Sequence, residues 1–387
     1  MGESLTNKMT VKETLAKLVS INSVSSQSNA EMTEYLVQRC EKMGLRVWLL
    51  PYPDDSGIEK INLIALAGTK FSKSIEPTSV ELAVVGHTDT VPYDAGWSEA
   101  TTLTEREGKL YGRGACDTKG FIAATLTAVE RLDLTRLRRP FALIFTADEE
   151  IGLRGAKRLA ESKPLRVRYS IVGEPTSLQP IRAGKGYSLA EIVVRGREAH
   201  SAYPALGVSA VFRAVRLISR IEAIAQQIQE DQHPHFDPAY TTLNIGLIRG
   251  GSAKNVIAGE CRFTLEWRPI PTQDSGHVLD LLNSAIEREK LSDPDFECEI
   301  DAGRADAGFE TSPTSRLVTL LEELTGKTAG TVAFGTEAAQ IGALGAETVV
   351  LGPGDIRVAH RTGEFVPIEE LQRCTEIIAQ AITSLCL

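Results

Sequence analysis

A chain of 387 residues exceeds the length at which one hydrophobic core usually keeps growing, so two domains are expected. An apolar content of 42% describes a globular protein, and a formal net charge of −9 disfavours nucleic acid and anionic membrane as partners, leaving small molecules. No stretch approaches the ~20 apolar residues of a membrane span, and the amino-terminal MGESLTNKMTVKETLAKLVS lacks a continuous apolar signal core, so a cytoplasmic protein is expected.

Along the chain, Thr10 followed by Glu13 predicts a capping box opening a helix that presents Leu15, Leu18 and Val19 on one face. A second amphipathic helix is expected over 29–43, then strands, with the polar, Pro-containing stretch 70–79 as a loop between two of them. The apolar run Leu82 to Gly86 leads into GHTDTVP, and a helix over 118–132 follows directly on Asp117. A carboxylate at that point is favoured by the helix dipole. Beyond Glu174 the pattern changes to strand, Gly-rich turn, long helix, two strands about a Gly-Gly turn, a helix over 275–289 and another strand. An α+β unit over 184–298 therefore reads as inserted into a discontinuous domain made of 1–183 and 299–387. The six cysteines show no CxxC spacing and read as reduced thiols, with Cys116 pointing away from its neighbour Asp117.

One local grammar recurs. Apolar runs rich in Val, Ile and Phe end in a carboxylate or imidazole beside small residues: GHTDT with His87 and Asp89, GACDTKG with Asp117, FALIFTADEE with Glu149 and Glu150, YSIVGEPT with Glu174, and VVLGPGDIRVAH with His360. Helical patterns lie between several of these runs, so the expected fold class is α/β, with functional groups gathered at the carboxyl ends of strands. His87 and Asp89, two apart on a strand, face the same way and can meet one metal ion or each other. Several buried carboxylates and imidazoles converging there need compensation, and a pair of divalent cations supplies it.

GHTDTVP, GRGACDTKG, TADEE, GEPT, GREAHSAYP and GPGDIRVAHRTGEFV, in that order over nearly the whole chain, resemble the M20 metallopeptidase family. GEPTSLQP, FGTEA and LGPGDIRVAH look most like those members that deacylate an N-acyl amino acid. The resemblance implies a phosphorylase/hydrolase-like catalytic domain, an inserted lid that also forms a homodimer, and two metal ions, zinc with cobalt or manganese tolerated. By position, Asp117 would bridge the ions, His87 and Glu174 would complete one site, and Glu150 and His360 the other. Asp89 would fix the tautomer of His87, and Glu149 would be the general base. His200 would cross from a partner subunit to stabilise an oxyanion, although in isolation a His in a loop near a helix start is more often a solvated or capping residue.

For the substrate carboxylate, Asn255 and Arg268 are the candidates, Arg268 by a bidentate fork or else as an ordinary surface ion pair. Glu337 in GTEA is expected either to receive a side-chain ammonium or to cap the helix that follows, with Thr336 bonding substrate in the same pocket. Many family members hold Asp, Asn and Pro where this chain has Glu266, Ser209 and Ala258, changes that bear on lid contacts and leave the fold pattern intact.

Overall fold

The computed structural model describes residues 9–68 and 78–387. Most of the expected 70–79 loop and the first eight residues lie outside the described residues, and Thr78 already begins a strand. By its contacts the chain forms two compact units, 1–182 with 311–330 and 336–387, and 183–310 with 331–335.

In the first unit, α1 (Val11–Ser20) opens on the capping box: the Thr10 amide donates to Glu13 Oε2 at 2.7 Å and the Glu13 amide to Thr10 Oγ1 at 3.2 Å. After α2 (Ala30–Lys42) come the strands β1 (Arg46–Pro53), β2 (Glu59–Ala67) and β3 (Thr78–His87). The helix α3 (Lys119–Glu130) precedes β4 (Phe141–Thr146), α4 (Arg154–Ser162) and β5 (Leu165–Val172).

The second unit is built from β6 (Tyr187–Arg195), α5 (Ala210–Gln227), β7 (Thr242–Gly250), β8 (Glu260–Arg268), α6 (His277–Ser292) and β9 (Cys298–Asp306). Its antiparallel sheet runs β7-β8-β6-β9. Ile192, Phe263, Leu265 and Trp267 of the sheet pack on Leu217, Ile221 and Leu282 of the helices. Residues 298–306 stand in this unit because β9 pairs with β6 from Cys298 to Asp306. The expected boundary at 298 falls at the first residue of that strand. Ser209 caps α5, its Oγ accepting from the Phe212 amide at 3.3 Å.

The chain then returns to the first unit through α7 (Arg316–Thr325), α8 (Ala338–Gly342), β10 (Glu347–Val350) and α9 (Ile368–Cys386). The large sheet there is mixed, in the order β1-β2-β4-β3-β5-β10, with β3 parallel to β4 and β5, and β10 parallel to β5. This is the expected α/β class, a phosphorylase/hydrolase-like catalytic fold interrupted by an α+β insertion. Leu82, Val84, Phe141, Leu143, Phe145, Ile171 and Val349 form the buried sheet core, and α3, packed against α1 and α9, is buried along nearly its whole length. Each such Leu, Ile or Phe contributes about 1.5–3 kcal/mol by leaving water.

Register decides where the polar ends fall. His87 lies opposite Thr146, and Val85 opposite Val172, which in turn faces Val350. Parallel strands aligned this way deliver their carboxyl-terminal residues to one end of the sheet. One glycine there is obligatory: a Cβ on Gly173 would sit 2.0 Å from Phe121 Cδ1.

Candidate active site

His87 closes β3, Glu149 and Glu150 follow β4, Glu174 lies two residues beyond β5, Asp117 precedes α3, and His360 follows β10 in a backbone with φ of +59°. Five strand or helix ends thus converge. Asp117 stands between two imidazoles, its Oδ1 2.9 Å from His87 Nε2 and its Oδ2 3.0 Å from His360 Nε2. His360 Nε2 is also 3.0 Å from Glu150. Ligand atoms of His87, Asp117 and Glu150 all lie within 4.8 Å of one another.

The orientation of His87 is set by backbone. Its Nδ1 lies 3.0 Å from the carbonyl oxygen of Asp89, which can only accept, so Nδ1 carries a proton and Nε2 is the atom turned to Asp117. The Asp89 carboxylate is 3.6 Å from the same ring nitrogen, beyond a hydrogen bond. It serves other donors: Oδ1 accepts the Glu149 amide at 3.0 Å, and Oδ2 accepts the Glu150 amide at 3.2 Å and the Ser25 hydroxyl at 2.7 Å.

Burial pushes the carboxyls of Glu149 and Glu174 well above their usual range, and repulsion among Asp117, Glu149 and Glu150 pushes the same way. Glu150 is also raised, by burial first. Asp117 goes the other way: burial opposes it, but hydrogen bonds from His360 and His87 hold it far below the ordinary carboxylate value. Bonds from Asp117 and Glu150 lift His360 to about 10. Such crowding of buried acids, with imidazole nitrogens and carboxylate oxygens brought to hydrogen-bond distance of one another, calls for cations among them. The nitrogen and oxygen donors fit a divalent ion of the zinc type. The group of donors fits the metal-dependent chemistry that the motifs lead one to expect.

Thr336 and Glu337 also lie in the first unit. Glu337 is fully buried, and its Oε2 accepts from the Thr146 hydroxyl at 2.7 Å, at the end of β4. Burial lifts its carboxyl to about 7. Its side chain makes no capping bond to α8; the Thr336 hydroxyl accepts from the Ala338 amide at 3.2 Å instead. His200, Asn255 and Arg268 lie in the second unit. His200 and Val256 form a bridge, and the Ser201 amide donates to the Asn255 carbonyl at 3.0 Å, so the segments of His200 and Asn255 run side by side. His200 Nδ1 accepts from the Ala202 amide at 3.0 Å, which leaves the ring proton on Nε2. Arg268 bonds Glu266 at 2.9 Å and lies over the Tyr187 ring at 4.6 Å.

Two supporting residues had no signal in the sequence. Ser25 binds Asp89 across 64 positions of chain. Lys60, 1% exposed, bonds Asp148 at 3.0 Å and the carbonyls of Ser25 and Gln27, tying the turn before α2 to the segment that carries Glu149. Cys116 turns its sulfur to the Asp355 carbonyl, and burial raises its thiol well above the usual value.

What the fold and these side chains define is a metallohydrolase. Residues 83–384 match the Peptidase family M20/M25/M40. An acetylornithine deacetylase of Myxococcus xanthus is 48% identical over 377 residues, 97% of this chain and 97% of that protein. One from Proteus mirabilis (strain HI4320) is 35% identical, covering 94% of this chain and 92% of that protein. The crystal structure of a tripeptidase from Staphylococcus aureus superimposes with a TM-score of 0.76 over 98% of both chains, at 23% identity. The chain belongs to the M20/M25/M40 family and is a metal-dependent hydrolase of amides. Among the described residues, no helix is long and apolar enough to cross a membrane.

Proposed function

We propose that this enzyme removes the acetyl group from N2-acetyl-L-ornithine, giving L-ornithine and acetate in arginine biosynthesis. The observation that carries the reading is the placing of Asp117 between His87 and His360, in a chain 48% identical to an acetylornithine deacetylase over almost its full length. His87, Asp117 and Glu174 would hold one divalent ion and Asp117, Glu150 and His360 a second, zinc being the expected metal with cobalt or manganese accepted. When bound, such ions supply Lewis-acid polarisation of the amide carbonyl and acidify water.

The protein's own groups do the rest. Glu149, its carboxyl raised by burial, takes a proton from the attacking water and passes it to the amine nitrogen as the carbon–nitrogen bond breaks. Acetate keeps the water oxygen, and ornithine leaves with the proton. The Nε2–H of His200 serves as donor to the oxyanion, arriving from the second subunit of a homodimer. Support for the dimer comes from the second unit, where the edge strand β7 exposes Leu247 and Ile248 and α5 exposes Phe212 and Val215. Sedimentation reads this directly, and a monomer at working concentration would remove the dimer.

Glu337 with Thr336 is assigned to the basic end of the substrate, and Asn255 and Arg268 to its carboxylate. The cytoplasm is the expected compartment. Initial rates on acetyl-ornithine, acetyl-citrulline, acetyl-lysine, acetyl-methionine, succinyl-diaminopimelate and a dipeptide, with zinc- or cobalt-loaded protein, test the reading. A preference for acetyl-ornithine is expected. A preference elsewhere on the panel replaces the substrate and keeps the amide chemistry.

A further inference from the structure

We propose that Glu364 is the positioning residue for Asp117, a carboxylate that fixes the turn presenting Asp117 to both imidazoles. Its Oε1 accepts the amides of Cys116 at 2.9 Å and Asp117 at 3.0 Å. Its Oε2 accepts the Gly114 amide at 3.1 Å and the Arg113 guanidinium at 2.6 Å. Four donors from one five-residue stretch therefore point at a single carboxylate 247 positions away from Asp117. Glu364 is 1% exposed and Arg113 4%, so no water competes for these bonds.

The arrangement follows from local pairing. The short strand Phe365–Pro367 runs antiparallel to Lys109–Tyr111, with Phe365 opposite Tyr111. That register sets the Glu364 carbonyl 3.1 Å from the Gly112 amide and turns the Glu364 side chain into the loop that follows. Converging backbone N–H groups in a turn form an anion-binding concavity, which elsewhere receives a ligand. Here the chain fills it with its own carboxylate. Arg113 is itself held by the Pro92 carbonyl at 3.3 Å and lies over the Trp97 ring at 5.3 Å. Its charge offsets that of Glu364 and keeps one more uncompensated anion from the neighbourhood of Asp117.

The consequence reaches both halves of the site. Asp117 faces one imidazole with each oxygen, so a rotation of its turn shifts both contacts at once. Glu364 lies only four residues beyond His360, so the same short segment carries one imidazole and clamps the carboxylate that faces it. The clamp thus sets the geometry of Asp117 relative to His360 before any ion binds.

The proposal rests on Asp117 as the shared ligand, and the test separates the two ideas. In metal-free protein, Glu364→Gln replaces an acceptor with a donor. It is expected to speed hydrogen exchange at least tenfold in the peptide spanning 112–118 while α3 and α9 keep parental protection. On cobalt titration the same variant is expected to bind both equivalents at least tenfold more weakly, to change the visible cobalt spectrum, and to lose kcat at least tenfold with KM within twofold. Glu364→Asp, which keeps the charge and shortens the reach, should fall between, and it stands in if Glu364→Gln does not fold. Parental exchange and a parental cobalt spectrum in the folded variants would overturn the clamp, as would exchange rising equally through α3 and α9. If parental protein takes up no cobalt at all, the metal reading fails while the exchange result still judges the clamp.

Discussion

The backbone amide of Glu149 donates to Oδ1 of Asp89 at 3.0 Å, so the proposed general base is held in place by the residue two positions beyond His87. Because Asp89 Oδ2 also receives the Glu150 amide, one carboxylate positions both Glu149 and Glu150, the proposed base and a proposed metal ligand. Asp89→Ala should therefore lower kcat about a hundredfold, the order of loss that a displacement of ~1 Å can cause. Metal stoichiometry and steady-state kinetics check it, and an unchanged kcat would dismiss the backbone role.

Glu149→Ala tests the base directly. Turnover should fall by roughly 10²–10⁴-fold while two equivalents of metal and the parental melting temperature are retained. Retained turnover would take the role from Glu149.

Glu337 supplies the specificity test. Its fully buried carboxylate reaches the Thr146 hydroxyl, and Glu337→Gln keeps the shape while removing the charge. If it receives the ornithine ammonium, kcat/KM for acetyl-ornithine should drop at least tenfold with acetyl-methionine little affected. An equal loss on both would make Glu337 a structural carboxylate.

Thiol labelling should be slow in the native state. The described cysteines are all free, and burial pushes Cys40 and Cys386 up to about 12 and the half-buried Cys298 to about 11. A raised value means less thiolate at pH 8. Cys298 should react first with a maleimide and the rest only on unfolding, as peptide mass mapping will read.

In the second unit, the Arg213 fork holds the Asp293 carboxyl below its usual value, with bonds of 2.8 and 2.6 Å. A lowered folded value means the contribution is present above the unfolded value of ~3.9 and is lost as pH falls through the folded one. Arg213→Met should cost roughly 1.5–3 kcal/mol at pH 7. Its deficit relative to the parental protein should shrink below about pH 4, as thermal unfolding between pH 7 and 2 will measure.

The sequence by itself determined the α/β class, the capped first helix and the placing of His87, Glu149, Glu150 and Glu174 at strand ends, since each depends on spacings of a few residues. An apolar run of strand length ending in a polar residue carries its own address at the sheet edge. Only the tertiary structure decided which partner each group meets. Asp89 is two residues from His87, yet its carboxylate serves Glu149, Glu150 and Ser25 while its carbonyl serves the imidazole. Glu337 stands where a helix cap would, but packing turns it inward to Thr146. Glu364, in the terminal segment GPGDIRVAHRTGEFV, where its spacing marks out no role of its own, reaches the turn of Asp117 through a three-residue strand pairing. Bonds between groups tens to hundreds of residues apart are set by strand register and close packing, and a directional contact of about 3 Å leaves no periodic trace in the chain.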